Sequence, residues 1–129
     1  MGQHAGIGVA GSGNTAQGNG NVGFNVMGMG HEMVECVASA NGKNGVTLQG
    51  MGYAVIGCVA EGNGGDGIGG MGAEWRLAGN RAAGNGGNGL MVRGMGLVDE
   101  GGNRGSGNRG EGQHRPAVQC EINGVACKP

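Results

Sequence analysis

Gly45-Val-Thr-Leu-Gln-Gly-Met-Gly-Tyr-Ala-Val-Ile-Gly-Cys-Val-Ala-Glu-Gly-Asn-Gly-Gly-Asp66 is followed without a break by Gly67-Ile-Gly-Gly-Met-Gly-Ala-Glu-Trp-Arg-Leu-Ala-Gly-Asn-Arg-Ala-Ala-Gly-Asn-Gly-Gly-Asn88. Aligned, the two stretches match at the opening Gly, at the apolar residue after it and at the closing Asn-Gly-Gly. The period is 22 residues. Self-similarity at a fixed spacing of about 20–50 residues marks a repeat architecture.

The same spacing runs through single columns. Asn19, Asn41, Asn63 and Asn85 are each followed by Gly. Gly23, Gly45, Gly67 and Gly89 form another column, next to the apolar Phe24, Val46, Ile68 and Leu90. Asn14, Cys36, Cys58 and Asn80 alternate two residue types in one place. Ala16, Ala38, Ala60 and Ala82 stay small throughout, and Gly28, Gly50, Gly72 and Gly94 complete the set.

Composition narrows the interior that these columns can build. With 36 Gly and 2% aromatic residues among 129, the chain cannot fill a wide core. Two Pro and no Gly-X-Y period exclude collagen, and ordered apolar columns oppose disorder. Val46, Leu48, Leu90 and Val92 alternate with Thr47 and Met91, the two-residue period of a strand with one buried face. Gly and Asn-Gly steps between the runs supply the positive φ angles of sharp corners.

One such unit cannot bury its own apolar face. Stacking units pairs each strand with its equivalent one coil on, about 4.8 Å away, and turns columns into ladders. Asn at inward columns is then satisfied by the Asn of the next coil, where a lone amide would be costly. The expected structural ladders are Asn14, Cys36, Cys58 and Asn80, and Asn19, Asn41, Asn63 and Asn85. The expected fold is an all-β parallel solenoid of about five 22-residue coils over residues 1–112. Residues 113–129 are read as a cap, in which a disulfide between Cys120 and Cys127 closes a hairpin. That pairing suggests an oxidising compartment; the alternative is two free thiols. For Cys36 and Cys58 the expectation is buried ladder residues, with a bond between them as the alternative.

Asn63-Gly-Gly-Asp-Gly-Ile68 and Asn85-Gly-Gly-Asn-Gly-Leu90, with Gly79-Asn-Arg-Ala-Ala-Gly-Asn85 upstream, carry a resemblance. Over residues 6 to about 112 the chain resembles the right-handed parallel β-helix repeats of the pectate-lyase-like superfamily, in the form found in periplasmic copper-processing β-helix proteins. The resemblance implies a right-handed coil and, with the cysteine pair, an extracellular or periplasmic location. Enzymes of that group place clustered carboxylates, a basic residue and often calcium beneath long corner loops. Here each corner is a few Gly and Asn.

Candidate chemistry is correspondingly sparse. Asp99 and Glu100 are adjacent and have no acidic partner one period away, which reads as a solvated turn. Glu61-Gly-Asn-Gly-Gly-Asp-Gly-Ile-Gly69 fits most of a calcium-roll nonapeptide, yet the places equivalent to Asp66 hold Val22, Asn44 and Asn88. Asp66 is expected to stabilise a turn. His4, His31 and His114 are isolated, so neither a metal site nor a cofactor is expected. A net charge of −1 gives no case for nucleic acid, and no apolar run spans a membrane or forms a signal peptide.

Two outer columns remain. His31, Tyr53, Trp75 and Leu97 stack along the solenoid. By alternation with Val55 and Leu77 the column faces inward; the alternative is an outward platform of Tyr53 and Trp75 for sugar rings. Met27, Met29, Met33, Met51, Met71, Met91 and Met95 are expected as flexible core filler. The functional expectation is a non-catalytic structural or interaction solenoid without catalytic residues. It self-associates end to end into homo-oligomers or filaments, because no cap is evident at the N-terminus. The alternative is a polysaccharide-binding or polysaccharide-modifying domain.

Overall fold

The computed structural model describes residues 15–18, 20–30, 32–109, 118–122 and 125–127. Among these there is no helix. The strands are β1 (Thr15–Gln17), β2 (Phe24–Met29), β3 (Glu32–Val34), β4 (Val37–Ser39), β5 (Val46–Met51), β6 (Ala54–Ile56), β7 (Val59–Glu61), β8 (Ile68–Ala73), β9 (Arg76–Ala78), β10 (Arg81–Ala83), β11 (Leu90–Met95), β12 (Val98–Asp99), β13 (Arg104–Ser106), β14 (Cys120–Ile122) and β15 (Val125–Ala126). Each turn of chain contributes one long strand and two short ones, and equivalent strands of successive turns pair side by side.

Three sheets result. The long strands form β2-β5-β8-β11-β14-β15, and the short ones form β1-β4-β7-β10-β13 and β3-β6-β9-β12. All pairs are parallel except β14 with β15. The register is the sequence period made visible: Phe24, Val46, Ile68 and Leu90 lie side by side across four strands. The chain is thus a parallel β-solenoid of about four turns, slightly fewer than the five coils expected. The four complete turns are β2–β4, β5–β7, β8–β10 and β11–β13; of the coil expected before Phe24 the described residues hold only β1, and after β13 the strand β14 takes the long-strand place beside β11.

The interior is as narrow as the composition requires. Val26, Leu48, Val55, Ile68, Leu77, Leu90 and Val92 are fully buried in one continuous core, each contributing about 1.5–3 kcal/mol relative to exposure. The Ala column lines the wall opposite, and its carbonyls accept the ladder amides: Asn63 Nδ2 donates to Ala38 O at 3.0 Å and Asn85 Nδ2 to Ala60 O at 3.1 Å. The neighbouring Gly column exists for clearance. A Cβ on Gly45 would lie 2.6 Å from Asn63 Nδ2, closer than real contacts allow, so the amide row and the Gly row require each other.

Within the repeats the residue offset between paired strands changes at β13. β12 keeps the 22-residue offset, pairing Val98 with Arg76, whereas β13 pairs Arg104 with Arg81, an offset of 23. The added residue is absorbed in the corner at Gly101 and Gly102, both at positive φ. Asp99 Oδ1 closes that corner by accepting from Gly101 N and Asn103 Nδ2, each at 2.9 Å. At the C-terminal end, the Cys120–Cys127 disulfide joins β14 to the residue after β15.

Candidate functional site

Three rows of hydrogen bonds run along the solenoid, and they use most of the residues singled out from the sequence. In the first, Asn41 Nδ2 donates to Asn63 Oδ1, Asn63 Nδ2 to Asn85 Oδ1 and Asn85 Nδ2 to Asn108 Oδ1, at 2.8–2.9 Å. Each Oδ1 also accepts the backbone N–H of the preceding Asn. Gln119 completes the row, its Oε1 accepting from both Asn108 N and Asn108 Nδ2. Asn14 and Asn19 lie outside the described residues, as do His4, His31 and His114.

The second row shows why Cys alternates with Asn. Asn80 Oδ1 accepts from Cys58 N at 2.9 Å, and Cys58 Sγ accepts from Cys36 N at 3.4 Å. Where Asn80 Nδ2 donates to Val55 O, the Cys58 thiol donates to Met33 O at 3.3 Å. Sulfur performs both tasks of the amide, more weakly. Cys36 and Cys58 are buried and unbridged. The side-chain hydrogen bond with Cys36, together with burial, pushes the Cys58 thiol well above its ordinary value.

Asp66 belongs to a third row, at the corners. Its backbone N–H donates to Asn44 Oδ1 at 2.8 Å, its own Oδ1 accepts from Asn88 N at 2.7 Å, and Asn88 Oδ1 accepts from Val118 N at 3.0 Å. The carboxylate therefore does here what Asn does one coil to either side. No group of three or more His, Cys, Asp or Glu among the described residues is placed to hold a metal ion.

Tyr53 and Trp75 lie inside the solenoid, at 1% and 0% exposure. An outward sugar platform is corrected on that ground: neither ring presents a face to a ligand. The rings stack on each other with centroids 5.4 Å apart and planes inclined by 17°. Trp75 Nε1 donates to Gly50 O at 2.9 Å, and the single Tyr53 O–H proton is shared between the carbonyls of Gly28 and Gln49. Burial raises the Tyr53 hydroxyl above its ordinary pKa. Gly50 and Gly72 make room for these rings, since a Cβ on Gly50 would collide with Tyr53 Oη and one on Gly72 would meet Trp75 Cζ2 at 2.5 Å.

Methionine supplies the principal correction. Among the described methionines only Met33 is fully buried; Met27, Met29, Met51, Met71 and Met95 are 47–79% exposed and Met91 is partly exposed. In β2, β5 and β11 the residues on either side of the Gly column are both exposed. In register, Met29 lies beside Met51, which lies beside Ala73 and then Met95; Met27, Gln49, Met71 and Arg93 form the parallel row. Met29, Met51 and Glu74, with Gly30 and Gly52, line an open groove of 440 Å³. A second groove, of 610 Å³, lies at the hairpin end between Arg81, Arg104, Gln119 and the disulfide.

The fold and its side-chain rows define a parallel β-solenoid with interior amide and thiol ladders. The chain matches no known protein family, no curated protein and no solved structure.

Proposed function

We propose that this chain is a non-catalytic structural or interaction solenoid. One observation carries the reading: the buried side-chain polar groups are engaged in coil-to-coil hydrogen bonds, and every described one has a partner. Such rows build a stiff rod. Catalysis instead calls for polar groups aimed at a substrate.

The ends differ in a way that supports end-to-end self-association. One carries the disulfide-closed antiparallel hairpin, and at the other the described sheets finish in the parallel strands β1, β2 and β3. Parallel strand margins are surfaces that another chain can extend. The disulfide favours an oxidising, extracellular or periplasmic setting, and the likeness to pectate-lyase-type repeats favours a right-handed coil. The test is size-exclusion chromatography with light scattering, paired with electron microscopy over a concentration series. Linear stacks with a coil-height repeat are expected; a strict monomer at every concentration refutes self-association.

A further inference from the structure

Apolar residues are divided by side in an unusual way. The inward places of the long strands hold Phe, Val, Leu and Ile, while five of the six exposed large apolar residues among those described are Met. Strand propensity does not explain that choice, because Val, Ile and Thr suit an outward strand position better than Met. Adhesion through apolar area does not explain it either, since Leu or Phe would serve. What distinguishes Met is its thioether sulfur, a soft ligand on a three-bond flexible arm.

The sheet sets the spacing of these sulfurs. Met29 and Met51 are direct neighbours on the parallel strands β2 and β5, with backbones about 4.8 Å apart, a separation that two flexible arms span to reach one ion. They share an open groove in which Glu74 provides the single charged side chain. Met27, Met71 and Met95 continue the strip across the same sheet. Thioethers bind poorly to hard ions such as magnesium or calcium and favour soft monovalent ones. We infer that the groove between Met29 and Met51 binds a soft monovalent metal ion through its two thioether sulfurs, with the Glu74 carboxylate balancing the charge. This site lies on the outside of the rod and does not depend on the self-association proposed above.

The probe is silver(I) nitrate, added in chloride-free and thiol-free buffer to the full chain labelled with ¹³C at the methionine methyls. The Met29 and Met51 methyl signals should shift together and saturate, while that of buried Met33 stays in place. A chain carrying Met29→Leu and Met51→Leu keeps the apolar surface and removes the sulfur; it should bind silver at least about tenfold more weakly with its thermal midpoint retained. Undiminished silver binding by that double variant overturns the proposal. So does a titration in which the Met29 and Met51 methyls stay still and uptake disappears in a Cys36→Ser, Cys58→Ser chain. A shift of the same methyls with magnesium nitrate at equal concentration also overturns it.

Discussion

The indole N–H of Trp75 donates to the carbonyl of Gly50 across the coil interface, at 2.9 Å and 25 residues back along the chain. The ring fits only because the adjoining column is Gly. Gly72→Ala should cost about 2–3 kcal/mol, and Trp75→Phe, which keeps most of the ring and loses the donor, about 1 kcal/mol. Denaturant unfolding measures both. Trp75 is the only tryptophan, so the folded protein should emit at short wavelength, resist acrylamide quenching and shift to the red on unfolding.

Asn63 stands mid-row, with Oδ1 receiving two donors from Asn41 and Nδ2 serving Ala38 O and Asn85 Oδ1. Asn63→Ala leaves several buried groups unpaired at once and should destabilise by about 3–5 kcal/mol. Asn25→Ala, on the exposed side of β2, should stay within about 0.5 kcal/mol. Equal effects from the two variants would contradict the ladder's role.

Cys58 holds an amide's place with weaker bonds. Cys58→Asn should join the row between Cys36 and Asn80 and raise stability by about 1 kcal/mol. A pH dependence accompanies it. The folded thiol keeps its proton above the ordinary pKa of about 8.5, where the unfolded chain releases it. Below that range both states are protonated and stability is unaffected; above it the unfolded state binds fewer protons, so stability falls as pH rises. Unfolding titrations at increasing alkaline pH should show this decline, reduced in Cys58→Asn.

Ala40 has φ of 55°, at a corner position where the next two coils have Gly62 and Gly84 at 66° and 65°. A left-handed non-Gly residue costs about 1–2 kcal/mol, and Gly gives back about 0.4–1 kcal/mol to the unfolded chain. Ala40→Gly should therefore stabilise by about 0.5–1 kcal/mol, read as a higher thermal midpoint. A lower midpoint would show that this corner is not strained.

The Met partition predicts an order of oxidation. Dilute hydrogen peroxide transfers oxygen to thioether sulfur and releases water, and access governs its rate. Peptide mapping should find sulfoxide at Met29, Met51, Met71 and Met95 well before Met33. Early oxidation of Met33 would contradict its burial.

The solenoid was legible because one spacing recurs in unrelated residue types, and only stacked coils bring equivalent positions together. Columns, however, carry no label for side. Alternation placed Tyr53 and Trp75 inward, beside Val55 and Leu77. Met27 and Met29 are expected in the core from methionine's flexibility as a filler, not from alternation, and both are exposed, one on each side of Gly28. Asn44, Asp66 and Asn88 were visible as equivalent places, yet their shared row needed the corner geometry to appear. Gln119 carries no periodic signal at all: it reaches Asn108 over 11 residues from a segment after the repeats end.

The interior amide row also has a direction. Every Nδ2 points to the Oδ1 of the following coil, so the small dipoles add head to tail into one vector along the rod. Gln119 ends that vector, because its Nε2 turns back to Asn108 O at 3.0 Å instead of onward. The row is therefore polar and closed at one end: in the head-to-tail stacking proposed above, the closing Gln119 of one copy meets the open end of the next, so each interior row stops within its own chain and the junction is left to backbone strand pairing.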